Sequence, residues 1–176
     1  MRGYFGIGVE GISKPMNVGS LFRSAHAFGA SFVFAVAPAV DVREIYRSDT
    51  SETAKHVPLY SYADVAGMTL PKDCTLVGVE LLDEAIDLPS FTHPDRAAYV
   101  LGPERGNLSP AMVEACAFTV KIPTRFCVNV GVAGAILMYD RMCTLGRFAP
   151  RPVRSGGPTE SVPEHKYGGP TIRTRR

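Results

Sequence analysis

Short runs of continuously apolar residues, each followed by a segment with helical spacing, constrain this chain more than any other feature of its sequence. Tyr4–Val9, Ser31–Ala37, Cys74–Glu80, Ala97–Leu101 and Phe118–Ile122 read as strands. Val18–Phe28, the short Tyr62–Ala66, Pro110–Ala115 and the long closing Val130–Leu145 read as helices, the third with Pro at its first turn. A strand that is apolar on both faces must be covered on both. The alternation therefore predicts an α/β domain built on a mainly parallel sheet with helices on either side. Sheets of this kind bind ligands beyond the carboxyl ends of their strands, so the loops after Val9, Glu80, Leu101 and Ile122 are where chemistry is expected.

Two of those loops carry unusual residues. Gly102-Pro103-Glu104-Arg105-Gly106-Asn107-Leu108-Ser109-Pro110 follows one strand, and Pro123-Thr124-Arg125-Phe126-Cys127-Val128-Asn129-Val130-Gly131 follows another. Their glycines let backbone amides and carbonyls approach a ligand closely. Glu104 and Asn129 reach the same sheet edge if the two strands are neighbours; taken singly, each reads as a helix-capping side chain. A third segment, Asn17-Val18-Gly19-Ser20-Leu21-Phe22-Arg23-Ser24-Ala25, turns Leu21, Ala25 and Phe28 to the core and leaves Asn17 and Arg23 free to point elsewhere. Arg23 there is suited to gripping a phosphate, although an ordinary helix capped by Asn17 with a solvated arginine has the same pattern.

Gly6-Ile7-Gly8-Val9-Glu10-Gly11 matches the dinucleotide fingerprint G-x-G-x-x-G. That fingerprint needs a strand before the first glycine and a helix opening at the last. Here the glycines lie inside the first predicted strand and Pro15 separates them from the helix, which argues against a nicotinamide dehydrogenase.

With 176 residues, 45% of them hydrophobic, the chain is sized for one well-buried domain, read as 1–145, and a tail, 146–176. The domain carries 12 basic and 15 acidic side chains; the tail carries 7 basic and 2 acidic ones among many Gly and Pro. A segment of that composition is expected to be extended or disordered, and either touches polyanions or solubilises the chain. No run approaches the roughly 20 apolar residues of a membrane span, and the N-terminus lacks a secretory pattern, which places the chain in the cytoplasm. Cys74, Cys116, Cys127 and Cys143 are scattered without C-x-x-C spacing or nearby histidines, so they read as reduced core thiols and no metal site is expected.

Asn17-Val18-Gly19-x-x-x-Arg23-Ser24-Ala25, then Leu101-Gly102-Pro103-Glu104, then Ile122-Pro123 with Val128-Asn129-Val130 and a small-residue helix, together resemble the three motifs of the SpoU-type RNA 2′-O-ribose methyltransferases of the SPOUT superfamily. The resemblance spans about residues 4–145, and the joint occurrence is far more specific than any one motif. It implies a Rossmann-like sheet with a C-terminal trefoil knot, a homodimer, and S-adenosylmethionine as methyl donor without a metal. It makes Arg23 the catalytic arginine, with Asn17, Glu104 and Asn129 as the other motif residues. It places the donor against Val79, Glu80, Leu81, Leu101, Gly102, Gly106, Ile122, Val128 and Val130, largely through their backbone. Small members of this build, without a preceding RNA-binding domain, act on tRNA, making tRNA the first expected substrate and rRNA the second.

The chemistry agrees with that assignment. A ribose hydroxyl is a weak nucleophile near neutrality, so alignment and proton removal are what a protein must supply. A guanidinium can hold an RNA phosphate bidentately, whereas its pKa above about 12 makes it a poor base. Arg23 is accordingly read as clamp and electrostatic stabiliser, with the phosphate or Glu104 as proton relay. Three positions depart from the family pattern: Asn107 replaces a glycine, the loop before Asn129 is shorter, and Gly131 replaces a serine. Those departures imply a reshaped donor pocket, and they favour the alternative of a catalytically silent RNA- or cofactor-binding protein of the same fold.

Overall fold

The computed structural model describes residues 3–39, 56–103, 106–149, 151–152 and 155–157. The chain divides into two units, Met1–Gly146 and Arg147–Arg176. In the first, seven strands form one sheet: β1 (Tyr4–Glu10), β2 (Phe32–Val36), β3 (Leu59–Tyr62), β4 (Thr75–Val79), β5 (Ile86–Asp87), β6 (Arg96–Leu101) and β7 (Phe118–Lys121). Their order is β3-β2-β1-β6-β4-β7-β5 and every pairing is parallel. Among the described residues three α-helices accompany them: α1 (Pro15–Ala27), α2 (Pro110–Ala115) and α3 (Val130–Leu145). The expected parallel α/β architecture is therefore present.

Alternation along the strands builds two cores. Phe5, Ile7 and Val9 of β1 join Val33, Ala35, Val77, Tyr99 and Leu101 under α1 and α3, with Leu21, Ala25, Leu137 and Met138 facing them. Phe32, Phe34, Leu76, Ala98 and Val100 form the opposite core with Leu108 and Met112. The glycines of the dinucleotide-like motif belong to this second face. A Cβ on Gly6 would stand 2.3 Å from the Phe32 ring, and one on Gly8 would stand 2.4 Å from Phe34 O. Gly6 pairs with Phe32 and Gly8 with Phe34 in the β1–β2 register, so the missing side chains make room for a neighbouring strand and not for a phosphate.

Several boundaries differ from the sequence reading. The predicted helix Tyr62–Ala66 does not form: Tyr62 ends β3, and the following residues turn about Asp64, whose Oδ1 accepts the Gly67 amide at 2.7 Å. An aspartate that bonds the backbone in this way competes with helix formation. Helix α1 starts at Pro15, not Val18, after an extended Lys14 that supplies no side-chain cap. Pro15 thus opens the helix instead of separating it from the strand, and Asn17 lies within its first turn and is not its cap. β3 and β5 had no apolar run long enough to signal them. Cys127 is exposed, unlike the core thiol expected of it.

At the end of the sheet where β1 and β6 begin, a buried polar chain ties α3 down. Arg141, 1% exposed, donates from Nη1 to Pro94 O (2.6 Å) and to Tyr99 Oη (3.0 Å), and from Nη2 to Asp95 O (2.8 Å). A guanidinium only donates, so the Tyr99 hydroxyl passes its own proton toward His93 Nδ1 (2.7 Å), and His93 Nε2–H donates to Asp140 Oδ2 (3.0 Å). Burial holds the His93 pKa below the usual imidazole value against the opposing pull of Asp140, and burial pushes the Tyr99 hydroxyl up to about 12.

Candidate active site

The carboxyl ends of β4, β6 and β7 surround a cavity of about 360 Å³. From the end of β4 come Val79, Glu80 and Leu81; from the end of β6 and its loop come Leu101, Gly102 and Gly106; from the end of β7 and the turn into α3 come Ile122, Val128 and Val130. All nine residues expected to touch the donor thus line one space, joined there by Pro103, Asn107, Lys121 and Cys127. β6 and β7 are not neighbours, since β4 lies between them. The two motif loops therefore face each other across the end of β4, which brings Glu80 into the site.

Glu80 and Glu10 hold the loop after β6 from both sides. Glu80 Oε2 accepts the Leu108 amide and Oε1 its neighbour Leu81's, both at 2.8 Å. Glu10, 6% exposed at the end of β1, accepts the Ser109 amide at 2.8 Å and the Ser109 hydroxyl at 2.6 Å. The same Ser109 oxygen accepts the Met112 amide at 3.1 Å and so caps α2. Two carboxylates from the strands flanking β6 thereby grip two successive amides. Burial, reinforced by the Glu10 charge, pushes the nearby Cys116 thiol up to about 12. Sequence reading placed Glu80 in the site without this role and missed Glu10 and Ser109. The available signals were an acid ending an apolar strand and a Ser-Pro pair opening a helix.

Gly102 explains how close the backbone comes. A Cβ there would lie 3.0 Å from Glu80 Oε2 and 3.2 Å from the Leu108 amide nitrogen, so any larger residue crowds the clamp at the cavity wall. Across the cavity, Lys121 Nζ donates to Leu82 O (3.1 Å) and Asp83 O (3.0 Å), tying β7 to the loop after β4.

Asn129 caps α3 through Oδ1, which accepts the Gly131 amide at 2.9 Å, while its Nδ2 donates to Asn17 Oδ1 at 2.9 Å. Motifs far apart in sequence are joined by that one bond, beside Val128 and Val130 of the cavity. Gly131 fits because a Cβ there would meet Ser20 Oγ at 3.0 Å. Arg23 stands on the exposed side of α1 and does not line the cavity. Glu104 lies outside the described residues. No group of three or more His, Cys, Asp or Glu arranged to hold a metal occurs among the described residues.

A strand-end cavity lined by three loops of a parallel sheet, with an asparagine pair beside it, marks an α/β domain with a candidate small-molecule site. Residues 5–139 match the SpoU rRNA Methylase family, and the chain belongs to that family. It is 32% identical over 143 residues to a 23S rRNA (guanosine-2′-O-)-methyltransferase, RlmB, of Coxiella burnetii, covering 75% of this chain and 55% of that protein. It is 28% identical over 150 residues to the mouse tRNA (guanosine(18)-2′-O)-methyltransferase TARBP1, covering 79% of this chain and 9% of that one. The chain thus spans about half of the first and a small part of the second. The fold matches the SpoU methyltransferase AviRb of Streptomyces viridochromogenes with a TM-score of 0.70 at 24% identity, over 81% of this chain and 60% of that one. A second structure of that enzyme, in complex with AdoMet, matches with a TM-score of 0.69.

Proposed function

We propose that this chain transfers a methyl group from S-adenosylmethionine to a ribose 2′-hydroxyl of RNA. The observation that carries the reading is the meeting of the three motifs: the Asn17–Asn129 bond sits beside a cavity lined by all nine residues expected at the donor. The cavity suits the donor. Its walls are aliphatic side chains and strand-end backbone, and its volume is that of a small-molecule site. When bound, S-adenosylmethionine supplies a methyl group already activated by its sulfonium. Leu101, Ile122 and Val128 exclude water around it, and the Glu10 and Glu80 carboxylates keep the wall formed by residues 106–109 in place.

Asn129, fixed by its cap and by Asn17, presents a rigid polar edge to the incoming ribose. Arg23 grips an RNA phosphate as a planar fork, and either that phosphate or Glu104 takes the hydroxyl proton. The named relatives support RNA as the substrate class, with tRNA proposed first and rRNA second. No helix among the described residues is long and apolar enough to cross a membrane. An RNA substrate and free thiols fit the cytoplasm.

A homodimer and the trefoil knot belong to the same proposal. Val132, Ile136 and Tyr139 of α3 are exposed by 50%, 37% and 51%, and with Ser20 and Ser24 of α1 and Phe28 at its end they line a shallow trough; Ser24 adjoins Arg23 in the chain. A second copy covering that face would border the catalytic arginine; sedimentation as a monomer at micromolar concentration would rule the dimer out. The strand order supports the knot, because β6 enters between β1 and β4 before the chain crosses to β7 and returns through α3 to α1.

The decisive experiment incubates the protein with labelled donor and bulk RNA from a strain lacking it. Incorporation into the small-RNA fraction as an alkali-resistant ribose methyl is the expected result. Donor binding with no incorporation into any RNA would establish the catalytically silent alternative.

A further inference from the structure

Phe126 is 83% exposed, the most exposed large apolar side chain among the described residues, and it sits on the loop that closes the donor cavity. Its backbone is part of a hydrogen-bonded turn: Thr124 Oγ1 donates to Phe126 O at 2.7 Å, and the Thr124 amide donates to Ile122 O at 2.7 Å. Thr124 and Cys127 on either side line the cavity. The ring is thus presented to solvent from a hydrogen-bonded turn at the rim. Arg125 next to it is also exposed, and Asn129, three residues on, carries the bond to Asn17. Glu10 and Glu80, the acids that hold the facing loop, are occupied by backbone amides. What remains at the rim is a flat apolar face beside a cation.

We infer that Phe126 is a stacking platform for an unpaired base of the RNA strand, with Arg125 contacting its phosphate. The inference rests on the RNA-methylation reading. A ribose whose hydroxyl reaches the cavity must bring its own base and its neighbours across this rim. An exposed aromatic stacks on any base and a neighbouring cation follows the backbone, a combination suited to single-stranded or splayed-out nucleotides and not to a closed helix. A protein partner would need a broader apolar patch than one ring flanked by Thr124 and Arg125. In the proposed dimer such a patch is supplied by α3.

The chain contains no tryptophan, so Phe126→Trp installs a single reporter at the rim. Titration with a mixed-sequence single-stranded oligoribonucleotide is expected to quench its emission saturably, with little effect from a duplex of equal length or from S-adenosylmethionine alone. Phe126→Ala is expected to raise the KM for RNA by about 5- to 150-fold, the range set by loss of one base–aromatic stack. Its donor Kd should be unchanged, and Phe126→Tyr should restore the wild-type KM. An unchanged KM in Phe126→Ala overturns the inference while leaving the methyltransferase reading intact. Quenching by donor alone, or an emission that follows protein concentration instead of RNA, also overturns it by assigning the ring to the donor or to a second copy. Wild-type protein that neither binds nor methylates RNA overturns both.

Discussion

Replacing Gly134 by Ala adds one methyl group where α3 crosses α1, and its effect follows from where that methyl lands. The new Cβ falls 2.1 Å from Leu21 Cδ1 and 3.4 Å from Ile7 Cδ1. Leu21 and Ile7 are fully buried, so the Leu21 methyl must retreat by more than an ångström into space already filled. Overpacking of this kind costs about 1–3 kcal/mol, against which the better helix propensity of Ala returns about 0.5–1 kcal/mol. Gly134→Ala alone is therefore expected to destabilise by up to about 2.5 kcal/mol. Leu21→Ala alone should cost about 2–5 kcal/mol, because it empties a site with no exposure. In the Leu21→Ala background the added methyl enters vacated space, and Gly134→Ala should become stabilising. The two changes should couple favourably by about 1–3 kcal/mol in urea unfolding with an unchanged m-value. Since α1 carries Asn17 and Asn129 opens α3, methyl transfer should fall in Gly134→Ala and recover partly in the pair. Strict additivity, or stabilisation by Gly134→Ala in the wild-type background, would refute the packing argument.

Arg23→Ala should abolish methyl transfer while calorimetric donor binding persists, and Arg23→Lys should also be poor because it keeps the charge without the planar fork; full turnover of either at saturating RNA contradicts the phosphate-clamp role. Truncation after Leu145 removes seven cationic side chains and should weaken RNA binding and flatten the dependence of log affinity on log salt, with donor affinity intact. An unchanged slope would reduce the tail to a solubilising end. The lowered pKa of His93 makes stability pH-dependent: its contribution is complete above the unfolded imidazole value of about 6.5 and is lost as pH falls toward the folded value. Urea midpoints measured between neutral and mildly acidic pH should decline in the wild type and decline less in His93→Gln, and equal declines would exclude the histidine as the cause.

The parallel sheet was legible because β1, β2, β4 and β6 are apolar on both faces, a pattern that only a covered sheet tolerates. β3 was not legible, since Leu59-Tyr60-Ser61-Tyr62 is an edge strand with exposed middle residues and carries little of that signal. The segment after it misled for a local reason: apolar spacing suggested a helix, and Asp64 diverted the backbone into a turn. At the site, the loops were identifiable from glycine and proline punctuation, and the motif resemblance supplied residue roles. The partners of those residues were hidden. The bond between Asn17 and Asn129 spans 112 positions, and that from Ser109 to Glu10 spans 99, distances over which only the folded sheet provides proximity.

The sheet order also explains why Glu80 belongs to the site in a different sense from its neighbours. β6 lies between β1 and β4, so any loop leaving its carboxyl end emerges between the ends of those two strands. An acid at the end of each can then capture amides that the loop would otherwise leave unpaired near the cavity wall, and Glu10 and Glu80 do this at 2.8 Å from either side. Hydrogen bonds to an ionised acceptor are worth more than neutral ones, which suits them to holding a turn that ends in a short helix. Because both Glu80 oxygens already accept backbone amides, its carboxylate is committed to the wall of the cavity. The proposed proton acceptors, the RNA phosphate or Glu104, are separate from that clamp, and the wall can be rigid without using a group proposed to do chemistry.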